Sequence, residues 1–322
     1  MVNEKETAPQ KLILENYQSP GDIVMLTAAV RDLHLLYPGR YLTDVRTSSP
    51  GLWEQNPFIT PLEESDPDVR CIPMNYPLIH QSNTLPYHFI HGFIQYLNFQ
   101  LGTAIYPTAF KGDIHLSEQE MSWISQVQEI TGNDKPFWVI VSGGKYDFTC
   151  KWWDASRCQQ VVDHFLGRIQ FVQVGELVHN HPPLNNVIDL RGKTDLRQLV
   201  RLVYHSAGIV CPVTLLMHLA AAVPMNNGSP RLRPCVVIAG GREPVQWEAY
   251  PGHQFLHTIG ALPCCATGGC WRSRVLPLGD GDEKDAPDQL CMHPVGFLPK
   301  CMDMISVEEV VQKINLYLDN KY

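Results

Sequence analysis

The chain has 322 residues, a formal net charge of −8 and a pI near 5.9. Its 44% of hydrophobic residues can fill one large core or two ordinary ones, and its acidic balance argues against a nucleic-acid-binding protein, which usually has a basic face. The polar N-terminus MVNEKETAPQ lacks the apolar core of a signal peptide, and no apolar run is long enough for a membrane span. We therefore expect a cytoplasmic protein, in which disulfides are rare.

The first part of the sequence predicts a βαβ unit followed by helices. The predicted elements are a strand at 11–17, a helix at about 22–37, strands at 40–47 and 67–74, and helices at 84–102 and 117–131. The last of these helices opens with a capping box formed by Ser117 and Glu120. This order indicates a parallel sheet, and TGNDKP at 131–136 is the best candidate for a domain linker.

After this linker the strand–helix pattern restarts. Strands are predicted at 137–144, 169–176, 186–193, 208–213 and 233–241, with helices at 154–167, 195–207 and 214–224. The alternation predicts a doubly wound α/β domain. Regular structure fails in a Gly-, Pro-, Asp- and Cys-rich segment at 262–301, before a terminal helix at 306–322. We predict two α/β domains, 1–134 and 135–322, with a terminal helix that can cross back to the first.

Two strand-to-helix turns are candidate ligand sites, because open α/β sheets bind ligands at the carboxyl ends of their strands. Asp22 follows the first strand, where it can act as a general base or simply cap its helix; the pattern alone favours the cap. Thr214 opens the helix at 214–224, whose N-terminal N–H groups suit a diphosphate. An ordinary buried helix explains that segment too, and His218 alone is more typical of a core or crevice histidine.

Two loops that follow predicted strands add weaker signals. SGGKYDFTCKWW, at 142–153, offers two lysines for a phosphate and a glycine pair for close backbone approach, without the spacing of a Walker motif. AGGREPVQWEAYPGH, at 239–253, places Arg242 and Glu243 near aromatic residues, the mixture typical of a ligand rim. A structural turn accounts for the glycines of the second loop equally well.

Half of the ten cysteines lie in the irregular segment and the residues just after it. Cys265, Cys270, Cys291 and Cys301 follow the pattern C-x4-C-x20-C-x9-C, which predicts a structural tetrathiolate metal site more than a catalytic thiol or a disulfide. Cys264 can replace Cys265, and His293 is an alternative fourth ligand. Tetrahedral thiolate suits iron and zinc alike. The remaining cysteines are interpreted as buried small hydrophobic residues: Cys71, Cys150, Cys158, Cys211 and Cys235.

Three stretches in this order resemble glycosyltransferase family 9, the heptosyltransferases, which use ADP-heptose donors and have the GT-B fold. GDIVMLTAAVRDLHLLYPG resembles the family's opening Gly–Asp turn, CKWWD its Lys-x-Trp element, and DLRGKTDLRQLVRLVYHSAGIVCPVTLLMHLAAAVP its phosphate-binding turn. The resemblance implies two Rossmann-like domains that face a cleft. The tail ending LPKCMDMISVEEVV is similar to the metal-binding segment of a subgroup that includes the bacterial autotransporter heptosyltransferases, where the metal is iron.

The resemblance assigns roles to individual residues. Asp22 matches the aspartate regarded as the catalytic base, which reverses the preference for a cap. Lys151 matches the lysine that contacts the donor diphosphate, and His218 matches a histidine of the family's turn. Thr214 and the following N–H groups match the diphosphate-binding turn.

The phosphate-binding turn departs from the family pattern at two positions. The family usually has Asp-Ser/Thr-Gly-Leu, whereas this chain has Val213, Thr214, Leu215 and Leu216. The missing aspartate changes the contacts available to the donor sugar, and the missing glycine removes backbone freedom near the phosphates.

The resemblance implies inverting transfer of heptose from ADP-heptose to a hydroxyl of a glycan, a small molecule or a protein. Two alternatives remain: another nucleotide sugar on the same fold, motivated by the altered turn, and a non-catalytic binding or assembly subunit. We expect the cysteine loop either to rim the acceptor cleft or to form an interface in a homo-oligomer.

Overall fold

The computed structural model describes residues 8–76, 78–79, 81–228 and 232–319. The first residues of the predicted N-terminal domain and the last residues of the predicted terminal helix lie outside these ranges. Within them, two parallel sheets with surrounding helices make up most of the regular structure, which confirms the α/β class. No helix in the described ranges is both long and apolar enough to cross a membrane.

The first sheet has three parallel strands in the order β2-β1-β3. The elements around it are β1 (Gln10–Asn16), α1 (Pro20–Leu36), β2 (Tyr41–Thr47), β3 (Val69–Pro73), α2 (Ile90–Leu101), α3 (Glu118–Ser122) and α4 (Gln126–Thr131). The helix predicted from residue 84 begins only at Ile90, after a proline in TLPYH that disfavours helical backbone before it. The helix predicted at 117–131 is two helices, because the backbone is extended at Trp123 and Ser125 starts a second cap.

The second sheet has six parallel strands in the order β6-β5-β4-β7-β8-β9. Its elements are β4 (Phe137–Ile140), α5 (Ala155–His164), β5 (Gln170–Gln173), β6 (Ile188–Asp189), α6 (Leu196–His205), β7 (Gly208–Pro212), α7 (Leu215–Ala222), β8 (Cys235–Gly240), α8 (Val245–Glu248) and β9 (Gln254–His257). This is the order of the doubly wound dinucleotide-binding sheet, and it reverses between β4 and β7. The sequence did not predict α8, which lies in the loop at 239–253 interpreted as a ligand rim, or β9, which directly follows that loop.

The last part of the chain has little regular structure before its final helix, as predicted. Its elements are the antiparallel pair β10 (Pro294–Val295) and β11 (Leu298–Pro299), and the helices α9 (Lys300–Asp303) and α10 (Val307–Leu318). The expectation that α10 can cross to the first domain is wrong. Its buried residues Val310 and Ile314 share a core with Val161 and Phe165 around α5, because its apolar stripe fits the outer face of the second sheet.

The two sheets are joined by a continuous apolar core rather than a thin linker. Leu14 and Val24 near the first sheet belong to the same buried cluster as Val139 and Leu219 of the second. Helices α1 and α7 pack directly against each other, with His218 against Gly21. The packing of α1 on α7 brings the carboxyl end of β1 next to the strand-order reversal of the second sheet. The domain boundary near residue 134 stays a prediction.

Candidate functional site

The carboxyl ends of β1, β4 and β7 open into one cleft of about 740 Å³. This is where strand order reverses in the second sheet, and it is where doubly wound sheets bind ligands. All the residues predicted for catalysis and donor binding line the cleft: Asp22, Lys151, Thr214, Leu215, Leu216, His218, Arg242 and Glu243. The fold therefore brings together residues that are up to about two thirds of the chain apart in sequence.

Asp22 lies in the first turn of α1, partly buried at the base of the cleft. Ser19 is the residue at the N-cap position, so the interpretation of Asp22 as the cap residue is wrong. Burial raises the pKa of Asp22, and a hydrogen bond from the Tyr76 hydroxyl acts in the opposite direction. Gln18 Nε2 donates to that hydroxyl over 3.0 Å, which leaves the single phenolic proton for Asp22. Asp22 is thus an oriented carboxylate with raised basicity.

Lys151 ends the short 3₁₀ helix Tyr146–Lys151 that follows β4. Its ammonium nitrogen lies 2.7 Å from Oε1 of buried Glu243, and Arg242 pairs with the same carboxylate. Burial alone would raise the pKa of Glu243, but the charges of Arg242 and Lys151 hold it below its ordinary value. Two cations therefore share one anion, and the cluster carries a net charge of about +1 that favours a bound phosphate.

The N-terminus of α7 provides a second anion-binding element. Thr214 is its N-cap, with extended backbone and no capping hydrogen bond from its own side chain. The N–H groups of Leu215 and Leu216 stand in the first turn, where helix geometry provides no intrahelical acceptor. A helix end with these properties favours a phosphate group, as the sequence predicts.

His218 is a buried crevice histidine, as its pattern suggested. Its Nδ1 lies 2.7 Å from the Tyr250 hydroxyl, and that hydroxyl donates to Met25 Sδ over 3.1 Å. A Cβ on Gly21 would lie 3.0 Å from the imidazole, so the ring fills the space between α1 and α7. Burial lowers the pKa of His218 to about 3, which keeps the ring neutral.

Further polar residues line the cleft, among them the other of the two lysines predicted for a phosphate and three residues that had no predicted site role. Lys145 Nζ lies 3.4 Å from Ser19 Oγ across the cleft. Tyr76 belongs to no motif, Glu248 lies in the loop at 239–253 without having been singled out, and only the folded chain brings both near Asp22. Lys284 comes from the cysteine-rich segment, which therefore forms part of the cleft wall.

A second, much smaller cavity, of about 10 Å³, is surrounded by thiols. Six cysteines line it: Cys150, Cys264, Cys265, Cys270, Cys291 and Cys301. The four predicted ligands are thus neighbours, together with the alternatives Cys264 and His293. Gly241 follows β8 at this wall, where a Cβ would lie 3.0 Å from Cys265 Sγ.

Cys150 departs from its interpretation as a buried hydrophobic residue, because its thiol faces other thiols. A hydrogen bond with Cys291 raises the pKa of Cys150 and lowers that of Cys291. The Cys150 N–H donates to the Ser273 carbonyl over 3.1 Å, which ties the Lys151 loop to the cysteine-rich segment. The interpretation of Cys71 is wrong, since it is exposed on edge strand β3. The other three cysteines of that set are buried.

The predicted metal cage is not confirmed by the geometry. Thiolates are the donors that iron and zinc prefer, and six of them share one cavity. In the described ranges, however, no three Cys, His, Asp or Glu side chains are arranged to hold a metal ion. Cys265 Sγ instead lies 3.5 Å from the Leu262 carbonyl, as a thiol donor would. The donor chemistry fits a metal, and the positions of the sulfurs do not yet form its coordination shell.

Comparison with known proteins supports the fold. No protein-family model and no curated protein matches the chain. A glycosyl transferase family 9 structure from Veillonella parvula DSM 2008 matches with a TM-score of 0.62 and 14% identity, over 99% of this chain and 100% of that one. E. coli ADP-heptose LPS heptosyltransferase II matches with a TM-score of 0.58 and 16% identity, over 97% of this chain and 100% of that one. The iron-containing dodecameric glycosyltransferase TibC from enterotoxigenic E. coli H10407 matches with a TM-score of 0.63 and 16% identity, over 99% of this chain and 78% of that one. The chain therefore has the fold of these glycosyltransferases.

Proposed function

We propose that the protein is an inverting glycosyltransferase that moves heptose from ADP-heptose to a hydroxyl acceptor. The observation that carries this proposal is the position of Asp22 in the same cleft as Lys151 and the N-terminus of α7. A base and an anion-binding site that share one cleft are the two parts that such a displacement needs. TibC, which has a similar fold, was solved in complex with ADP-D-β-D-heptose.

Lys151 and the first turn of α7 would bind the donor diphosphate. The ammonium group of Lys151 and the N–H groups at Leu215 and Leu216 would stabilise the negative charge that grows on the departing ADP. Glu243 and Arg242 would hold Lys151 in place through the 2.7 Å Lys151–Glu243 ion pair. These groups supply the charge stabilisation that a divalent ion provides in other transferases.

Asp22 would remove the proton from the acceptor hydroxyl as the oxygen attacks the anomeric carbon. Its raised pKa makes it a stronger base than an exposed aspartate, and Tyr76 orients the carboxylate through its hydrogen bond. Attack from the side opposite the leaving diphosphate inverts the anomeric configuration.

The altered turn favours one alternative, a transferase of the same fold that uses another nucleotide sugar. Val213 is buried, so this position offers the sugar no polar group. Thermal shift against a panel of nucleotide sugars tests the donor. We expect the largest stabilisation from ADP-heptose, whereas stabilisation by a UDP- or GDP-sugar alone would overturn the heptose assignment.

We also propose that Cys265, Cys270, Cys291 and Cys301 bind a structural iron or zinc ion. Support comes from the cavity that they share, and from TibC, which contains iron. The metal takes no part in the transfer step. A cytoplasmic location is in keeping with ten cysteines of which none forms a disulfide in the described structure. TibC is dodecameric, and a homo-oligomer is our proposal for this chain as well.

A further inference from the structure

Glu248 is a carboxyl group held rigidly in the wall of the cleft. It is the last residue of α8 and is only 5% exposed. Its neighbour Trp247 is buried and stacks on Phe89, with ring centroids 4.9 Å apart. The Phe89 N–H also donates to the Trp247 carbonyl over 2.9 Å. Packing and a backbone hydrogen bond thus fix the end of α8 and leave Glu248 little freedom to turn toward solvent.

Among the residues that the structure describes, no lysine or arginine of the cleft forms an ion pair with Glu248. Lys151 and Arg242 both pair with Glu243, and Arg242 also donates to the Arg272 carbonyl over 2.7 Å. Glu248 Oε2 is buried and has no hydrogen-bond partner among the described residues. A buried carboxyl oxygen without a partner is costly unless a ligand completes its hydrogen bonds.

The neighbouring imidazole of His218 is too far from Glu248 to complete its hydrogen bonds. His218 Nε2 lies 3.7 Å from Glu248 Oε2. Burial and the negative charges of Glu243 and Asp22 raise the pKa of Glu248 well above its ordinary value. This shift favours the protonated carboxyl group, which has one donor and one acceptor.

Glu248 lines the same cleft as the two reacting ends of the proposed transfer and lies within electrostatic range of both Asp22 and Lys151. His218, its neighbour, packs on Gly21 beside Asp22 and lies one turn along α7 from Thr214. In a displacement, the transferred sugar lies between the leaving diphosphate and the attacking oxygen. A carboxyl group that lines the cleft near both ends is placed to contact that sugar.

We infer that Glu248 is a sugar-binding, specificity-determining residue, whose carboxyl group exchanges hydrogen bonds with hydroxyls of the sugar being transferred. The inference rests on the proposed function and deepens it. It also accounts for the altered turn, because Glu248 offers from α8 the polar contact that buried Val213 does not.

Calorimetric titration of ADP and of ADP-heptose into the wild type, Glu248→Gln and Glu248→Leu tests the inference. The comparison of the two ligands isolates the contribution of the sugar. Glutamine keeps one donor and one acceptor, so we expect both affinities to stay within about threefold of the wild type. Leucine should leave ADP affinity unchanged and lower ADP-heptose affinity by about tenfold or more, the size of a lost buried hydrogen bond. The matched control is Glu308→Leu on the exposed face of α10.

Other results of these titrations would contradict either the inference or the proposed function. Equal losses for ADP and ADP-heptose in Glu248→Leu would show a structural role and overturn the inference. So would a glutamine variant as weak as the leucine variant, since the group would then act as a carboxylate. A wild type that binds neither ligand would contradict the proposed function itself. A wild type that binds both equally would remove the heptose donor and, with it, this role of Glu248.

Discussion

Lys151 Nζ lies 2.7 Å from Glu243 Oε1, and Arg242 shares the same buried carboxylate. The ion pair keeps the lysine at the cleft wall before any phosphate arrives. It also means that the carboxylate competes with a phosphate for the same two cations.

Replacing Glu243 with Gln should separate these two effects. Without the carboxylate, the buried Arg242 and the partly exposed Lys151 lose their shared counter-ion, and the free energy of unfolding should fall by about 3 kcal/mol. A diphosphate should restore part of that loss, so the rise in Tm on adding ADP should be larger than in the wild type. Differential scanning calorimetry with and without ADP measures both. An ADP shift smaller than that of the wild type would contradict the competition.

Replacing Lys151 with Met should weaken nucleotide binding directly. Loss of a charge-assisted contact costs about 2 kcal/mol, or about thirtyfold in the Kd for ADP. Lys135→Met is the matched control, because Lys135 is exposed at the predicted linker. Titration calorimetry gives the Kd of each variant. If the two variants bind ADP alike, Lys151 does not contact the diphosphate.

Replacing Asp22 with Asn should abolish transfer while sparing the donor. Asparagine keeps the size of the side chain but cannot accept the acceptor proton, so we expect kcat to fall by at least about a hundredfold. The affinity for ADP should not fall by more than about twofold, because a carboxylate offers the negatively charged diphosphate no favourable contact. Transfer at the wild-type rate in a purified sample would show that Asp22 is not the base, and would favour a different catalyst or a binding role.

The pH dependence of transfer tests the Asp22–Tyr76 contact. Burial raises the pKa of Asp22, so the acid limb of kcat/KM should lie above the ordinary range of an aspartate. The hydrogen bond from Tyr76 lowers that pKa, and its removal in Tyr76→Phe should therefore move the acid limb to still higher pH. A limb that stays in place or moves down would exclude this contact as an influence on the base.

Elemental analysis of protein purified without added metal tests the cysteine site. We expect about one iron or zinc per chain, and a strong loss in Cys265→Ser but not in Cys264→Ser, because Cys265 is the more buried thiol at the cavity wall. Cys71→Ser is the control on the exposed edge strand. Fewer than about 0.2 metal ions per chain, with every thiol titratable in the native protein, would contradict the proposal of a metal site.

The helices and strands, and the strand-to-helix turns at Asp22 and Thr214, could be predicted because their sequence signals are local. The capping box at Ser117 is present as predicted, and Ser306 forms another at the start of α10; each depends only on residues three apart. Lys151 and Asp22 stand at strand ends, so their shared cleft follows from sheet topology. Glu248 and Tyr76 carry no such signal, because their environment comes from residues distant in sequence. The docking of α10 was missed for the same reason: an apolar stripe predicts burial but does not identify the surface that buries it.

A different structural constraint applies to each of three consecutive residues, Gly240, Gly241 and Arg242. Gly240 has a φ of +64°, and a Cβ there would meet Met302 Sδ at 2.6 Å. Gly241 has Cys265 against it, and Arg242 completes the carboxylate pair in the cleft. With identities of 14% to 16% to the similar structures, few positions can be paired with certainty by sequence alone. The tripeptide GGR, followed by a glutamate, is a natural anchor from which to align distant relatives that share both the thiol cavity and the nucleotide cleft.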